Sequence, residues 1–169
     1  MRKFMIPALS LILLLSLAAC EAHTPEPTAP KVQLANPYGT YETAEEMQEA
    51  AGLAVSLPAQ LPDWVSQTIY RAIPGELVEV IYTDGSNEIR VRIKQGSENI
   101  SGVYDMDARE ETDVTVGENT VHLKGMTQED GSFIVLVSTW TSAQGRTYSV
   151  TSPGGVAQAE LIPILEAIQ

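Results

Sequence analysis

The sequence predicts an α+β fold: a single domain in which a curved antiparallel sheet of about six or seven strands carries an N-terminal and a C-terminal helix packed on it. Three observations point there. Short segments rich in Val, Ile, Thr and Tyr recur from Gln67 to Ser152, separated by turns built from Gly, Pro, Asp and Asn. In one of them Ile89, Val91 and Ile93 alternate with Arg90, Arg92 and Lys94, the period of a strand with one face buried and the other in water. Stretches with helical spacing flank this region on both sides.

Taken in order, Thr43 and Glu46 form a Thr-x-x-Glu capping box. Met47, Ala50 and Ala51 add an apolar stripe and Gly52 a stop, so a helix is expected over 44–51. "LPAQLPDW" loses two amide donors at Pro58 and Pro62 and reads as a rigid connector laying Leu57, Leu61 and Trp64 over an edge of the core. Strands "QTIYRAI" and "ELVEVIYT" flank Pro74-Gly75, and "EIRVRIK" follows the turn "DGSN". A loop is expected from Gly96 to about Thr112. "DVTV" and "TVHLKG" are joined through Gly117-Glu118-Asn119, and "SFIVLVSTW" pairs with "RTYSVTS" around Gln144-Gly145. Pro153, Gly154 and Gly155 are expected to end this hairpin, and the run Phe133 to Val137 marks the strand expected to be most buried on both faces. In the tail, Val156, Leu161, Ile164, Leu165 and Ile168 fall at helical spacing, with a kink or break expected at Pro163.

The N-terminus carries a different signal. Arg2 and Lys3 precede an apolar run from Phe4 to Ala19, which falls short of the roughly 20 residues that a transmembrane helix needs. A basic start, a short apolar stretch and small residues before a cut form the layout of a secretory signal. "LAAC" (Leu17 to Cys20) resembles the lipobox of bacterial lipoproteins. That resemblance implies cleavage before Cys20, a diacylglycerol on its thiol and a fatty acyl group on its amine. Residues 1–19 are then a lipoprotein signal peptide, and Cys20 is the lipid attachment residue. Two or more acyl chains anchor stably where one does not, so the expected location is the cell membrane, lipid-anchored and facing outside the cytoplasm. Residues 20–35, with Pro25, Pro27 and Pro30, read as a tether reaching up to roughly 45 Å at about 3.1 Å per residue. The α+β domain occupies 36–169.

Composition limits the partners. Ten basic against 22 acidic residues give a formal charge of −12, more negative still once Arg2 and Lys3 are removed. Phosphate backbones repel such a chain, which argues against nucleic acid. With Cys20 lipidated, no thiol remains for a disulfide, a thiolate metal site or a cysteine nucleophile.

Several pieces together also resemble a known family: "NPY" before the capped acidic helix, "LPAQLPDW", "VEVIYTDGSNEIRVRIKQGSENISG", "TVHLKG" and a closing Tyr-Ser-Val strand followed by a helix. They are similar to the bacterial domain-of-unknown-function family 4367, found on lipoproteins and beside anti-sigma-factor regions. The likeness covers residues 36 to 169. It implies an extracytoplasmic α+β module, and it implies no catalytic residues.

The candidate sites each have two readings. His122 is the lone histidine of the folded region; it alternates with Val121 and Leu123 and so is expected to face solvent beside Lys124. No nucleophile elbow or Ser-x-x-Lys motif accompanies it. Asp105, Asp107, Glu110, Glu111 and Asp113 supply hard oxygen ligands that could suit calcium, but without the glycine and third ligand of an EF-hand loop they read as a solvated acidic loop first and a calcium site second. Tyr70, Tyr82, Tyr104, Trp140 and Tyr148 either line a cleft or pack the core. The row Arg90, Arg92, Lys94 concentrates scarce positive charge on one sheet face. It is either a partner-binding stripe or a set of cross-strand pairs with Glu76 and Glu79. No cofactor, metal site or catalytic set emerges. The expected function is non-catalytic binding or sensing of an envelope protein, peptide or polymer. A structural accessory role in an envelope complex and a carboxylate-based hydrolase are the alternatives.

Overall fold

Side-chain hydrogen bonds at the tight turns set the sheet register. The computed structural model describes residues 36–102 and 110–168. Strand β2 (Gln67–Ile73) turns through Pro74 and Gly75 into β3 (Leu77–Thr83), with Gly75 at φ 71°, which suits glycine after proline in a tight turn. The Gly75 N–H donates to Ala50 O at 2.9 Å, tying the turn to the N-terminal helix. Between β3 and β4 (Glu88–Gln95), Asp84 Oδ1 accepts from the backbone N–H groups of Ser86 (2.7 Å) and Asn87 (2.6 Å).

These bonds hold the Asp84 carboxyl below the usual carboxylate range, the Asn87 amide contributing most. Asp130, bonded by the hydroxyl and amide of Ser132, is lowered in the same way. A depressed folded pKa adds stability that is present above the unfolded value and lost as pH falls through the folded one. Asp84→Asn is therefore expected to flatten the decline of unfolding free energy between about pH 5 and pH 2. Urea titrations across that range check it; an unchanged slope contradicts it.

Helix α1 (Ala44–Ala51) starts at the expected cap: Thr43 Oγ1 accepts from the Glu46 N–H at 3.2 Å, while Glu46 Oε2 reaches one residue before the cap and accepts from the Glu42 N–H at 3.1 Å. Gly52, at φ 66°, closes it, with the Leu53 N–H donating to Gln48 O. Before the helix lies a strand that the sequence did not reveal, β1 (Gly39–Tyr41), paired with β2. The second half comprises β5 (Glu110–Val116), β6 (Asn119–Thr127), β7 (Phe133–Thr141), β8 (Arg146–Ala157) and helix α2 (Gln158–Ala167).

The eight strands form one open antiparallel sheet in the order β1-β2-β3-β4-β8-β7-β6-β5, one strand more than the expected upper count. Two four-stranded meanders thus meet at the β4–β8 pair. The chain between β4 and β5 must pass from the centre of the sheet to its far edge, about 19 Å at the usual strand spacing, which explains the long connection there.

One face of the sheet meets the helices. Met47 and Ala51 of α1 and Leu161, Ile164 and Leu165 of α2 join Val78, Val80, Ile89, Val91, Ile93 and Leu123 in a single core. Leu57, Leu61 and Trp64 pack against it half-buried, as the connector reading expects.

Four local expectations need correction. Burial on both faces is longest in β3, from Leu77 to Tyr82, and in β8, from Thr147 to Ser152; in β7 it runs from Val135 to Ser138, with Phe133 and Ile134 only half-buried. Strand β5 begins at Glu110, because Glu110 and Glu111 find partners on β6. Strand β8 does not end at Pro153: it bulges through Pro153–Gly155 and pairs again at Val156 with Val135. Helix α2 is not broken at Pro163: it continues past it, and the missing N–H removes one bond in the middle of a helix held by its buried leucines and isoleucine.

A second register shift falls at Lys124/Gly125, where the backbone carbonyl of Ile134 occupies the space a side chain at 125 would need. Gly125→Ala is expected to destabilise the domain by about 1–3 kcal/mol through this overlap. Chemical denaturation measures it, and a loss below about 0.5 kcal/mol, the range of an ordinary surface substitution, contradicts the close approach.

Candidate functional site: an arginine cluster on the outer sheet face

Side chains on the face away from the helices follow from strand parity. In each strand of this region one set of alternate residues enters the core, and the other set meets the opposite surface. Across that surface Arg71, Glu79, Arg92, Ser149, Thr139 and His122 form one transverse row, each the register partner of the next.

Glu79 on β3 is 0 % exposed and is the hub of the row. Its Oε1 lies 3.0 Å from Arg71 Nη1, its Oε2 accepts from Arg92 Nε at 2.7 Å, and Arg90 Nε stands 3.7 Å from Oε2. A buried carboxylate without compensation costs several kcal/mol in lost hydration, and guanidinium forks suit that compensation.

The three arginines differ in their surroundings. Arg92 is 11 % exposed, and its Nη1 also donates to the carbonyls of Ile100 (3.1 Å) and Ser101 (2.5 Å), which lie across this face. A side chain at Gly102 would overlap the Arg92 guanidinium, so a glycine lets the connection lie directly on it. Arg71 and Arg90 are 23 % and 29 % exposed and carry the cluster to solvent. Arg90 Nη2 pairs with Glu88 at 2.7 Å. The Arg71 guanidinium stacks on the Tyr38 ring at 4.4 Å, a cation–π contact. Burial, then the nearby Glu79 charge, pushes the Tyr38 phenol up, while Arg92, Arg71 and Arg90 pull against it. Tyr38 therefore flanks the whole cluster.

Lys94 stands apart from its sequence neighbours. Its Nζ bonds Glu76 (2.8 Å) and Glu98 (3.0 Å), and these two carboxylates raise its pKa. The row Arg90, Arg92, Lys94 is thus divided between two acidic centres, Glu79 and Glu76, the two glutamates that cross-strand pairing expects. Arg71 was missed, although the Pro74-Gly75 turn carries the signal for it: closing that hairpin places Arg71 opposite Glu79.

The other candidates go elsewhere. His122 is half-exposed on β6 beside Lys124, with Asp113 Oδ1 2.8 Å from Nδ1 and Glu111 Oε2 3.3 Å from Nε2. The imidazole on β6 thus lies between two carboxylates of β5 and links the two strands. Lys124 Nζ bonds Glu111 at 2.6 Å and holds that carboxyl below its ordinary range.

Asp105 and Asp107 of the acidic loop lie outside the described residues. Glu110 accepts from Thr127 Oγ1 at 2.6 Å, and Glu111 and Asp113 serve His122 and Lys124. Among the described residues no group of His, Cys, Asp and Glu is arranged to hold a metal ion.

The aromatics are core packing. Trp140 and Tyr148 stack with centroids 4.7 Å apart, Tyr82 is buried, and Tyr70 is packed half-buried against the same cluster. Tyr104, Cys20 and the 20–35 segment lie outside the described residues. Among those described, no helix is long and apolar enough to cross a membrane. No family model, curated protein or solved structure matches the chain.

Proposed function

We propose that the chain is a lipoprotein held at the outer face of the cell membrane through Cys20, with residues 20–35 as a tether and 36–169 as a non-catalytic binding or sensing module. Its ligand is an envelope protein, peptide or polymer, engaged through the outer sheet face. One observation carries this reading: three guanidiniums gather around a single buried carboxylate, and two of them reach solvent, in a chain of net charge −12. Compensating Glu79 requires fewer arginines than are present. Positive charge concentrated against the sign of the whole molecule favours a negatively charged contact. The lipobox-like "LAAC" supports the anchor, and the resemblance to domain-of-unknown-function family 4367 supports an extracytoplasmic module.

Cell fractionation tests both parts. Cys20→Ser is expected to move most of the protein out of the membrane fraction, and labelled fatty acid is expected on the parent chain alone. The portion of Cys20→Ser protein still held by envelope material is expected to be released when Arg71 and Arg90 are changed to Glu. An equal membrane-bound share with and without Cys20 contradicts the anchor. Retention indifferent to the arginine reversals contradicts the binding face.

A further inference from the structure

The arginine cluster has more donors than its internal duties require, and their placement selects a ligand; this inference rests on the binding reading above and specifies its chemistry. Arg92 completes the compensation of Glu79 from within, through Nε to the carboxylate and Nη1 to two backbone carbonyls. Arg71 and Arg90 are the surplus. Arg71 meets Glu79 through Nη1 and is held flat by Tyr38. Arg90 Nε is buried without a hydrogen-bond partner, 3.7 Å from Glu79. Ser149 Oγ, on the register partner of Arg92, is likewise buried and unpartnered. Among the described residues Glu79 and Glu88 stand against the three guanidiniums, which leaves one positive charge in excess.

We propose that Arg71 and Arg90 form a seat for one phosphate ester group. They project from β2 and β4, on either side of β3 and offset by two residues along it, and so about 12 Å apart at the backbone. They therefore address a ligand from opposite sides. A tetrahedral oxyanion offers oxygens to both forks at once, whereas a planar carboxylate presents its two oxygens along one edge to a single fork. Glu79, at the floor, keeps the oxyanion on the solvent-facing donors and keeps both guanidiniums spread.

The acidic remainder of the chain sets the limit of the site. Repulsion is screened beyond about 8–10 Å, so a single phosphate group is accepted while the net charge of −12 disfavours a densely charged polyanion. The phosphate comes either from a bilayer headgroup or from a soluble or polymer-borne phosphodiester.

The test uses the full chain in neutral detergent, observing arginine Nε–H resonances by NMR while inorganic phosphate, then glycerol phosphate, then acetate are added at constant ionic strength. Saturable shifts at Arg71 and Arg90 are expected, with phosphate at least about tenfold tighter than acetate. Arg71→Lys, which keeps the charge and loses the fork, is expected to lose most of the binding while the spectrum remains that of a folded chain. Response to nanodisc phospholipid but not to glycerol phosphate assigns the headgroup as the source, and the converse assigns the soluble or polymeric ester. Shifts that rise linearly, or equal affinity for acetate, overturn the phosphate seat. If envelope retention still depends on Arg71 and Arg90 in that case, the binding face stands and only its ligand chemistry falls.

Discussion

Glu79→Ala is expected to destabilise the domain by about 3–5 kcal/mol, the usual consequence of removing one side of a buried ionic cluster. The substitution takes away the buried carboxylate beneath Arg71, Arg90 and Arg92, leaving three like charges close together, one of them 11 % exposed. It also leaves a hollow where a fully buried side chain stood. Glu79→Gln keeps the shape and loses the charge, and should fall between the parent and the alanine variant. The informative companion is the double replacement Glu79→Leu with Arg92→Met. An apolar pair of similar volume commonly recovers what breaking a buried ion pair loses, so the double variant is expected to be more stable than Glu79→Ala. Equilibrium urea unfolding gives all three values. A loss below about 1 kcal/mol for Glu79→Ala is the scale of an exposed ion pair and would mean that Glu79 is no hub.

Leu165→Ala is expected to destabilise by about 2–5 kcal/mol, the range for large-to-small changes in a closed core. Leu165 is 0 % exposed and sits with Leu161 and Ile164 on the face of α2 that covers the sheet. Helix α2 begins directly after β8, has no side-chain N-cap bond and contains a proline, so little of its stability is local. Its persistence through Pro163 is therefore attributed to burial, and truncating one anchor should loosen the whole helix. Hydrogen exchange would show this as faster exchange across α2 with the β3 amides still slow. A loss under about 1 kcal/mol, or exchange unchanged in α2, contradicts the view that packing holds the helix.

Where local chemistry decides structure, the sequence was readable. The Thr43–Glu46 cap and Gly52 stop place α1 at its observed bounds. Strict alternation in β4 separates Ile89, Val91 and Ile93 from the arginines, as the core shows. Asp84, Gly85 and Asn87 build the expected turn. Strand β1 escaped because three residues, Gly-Thr-Tyr, carry no usable period and pair only with β2. The burial of β3 on both faces escaped for another reason. It depends on what crosses the outer surface, and the contact of Arg92 with Ile100 and Ser101 is a tertiary fact. The bulge after Thr151 was invisible because Pro153-Gly154-Gly155 signals a chain end and a strand irregularity equally well.

The candidate site was legible in part. Hairpin logic reaches Glu79 from Arg92 and, one turn earlier, from Arg71. The inequality between the arginines was not legible, since it arises from the connection lying over Arg92 and from Tyr38 under Arg71.

The most direct test of the account separates what the cluster does for the fold from what it does for binding. Arg71→Gln together with Arg90→Gln leaves the Glu79–Arg92 bond in place. The double variant is expected to unfold within about 1–2 kcal/mol of the parent, since each lost arginine is partly solvated, and to lose its hold on envelope material. A double variant as unstable as Glu79→Ala that still binds envelope material would show that these arginines serve the fold alone.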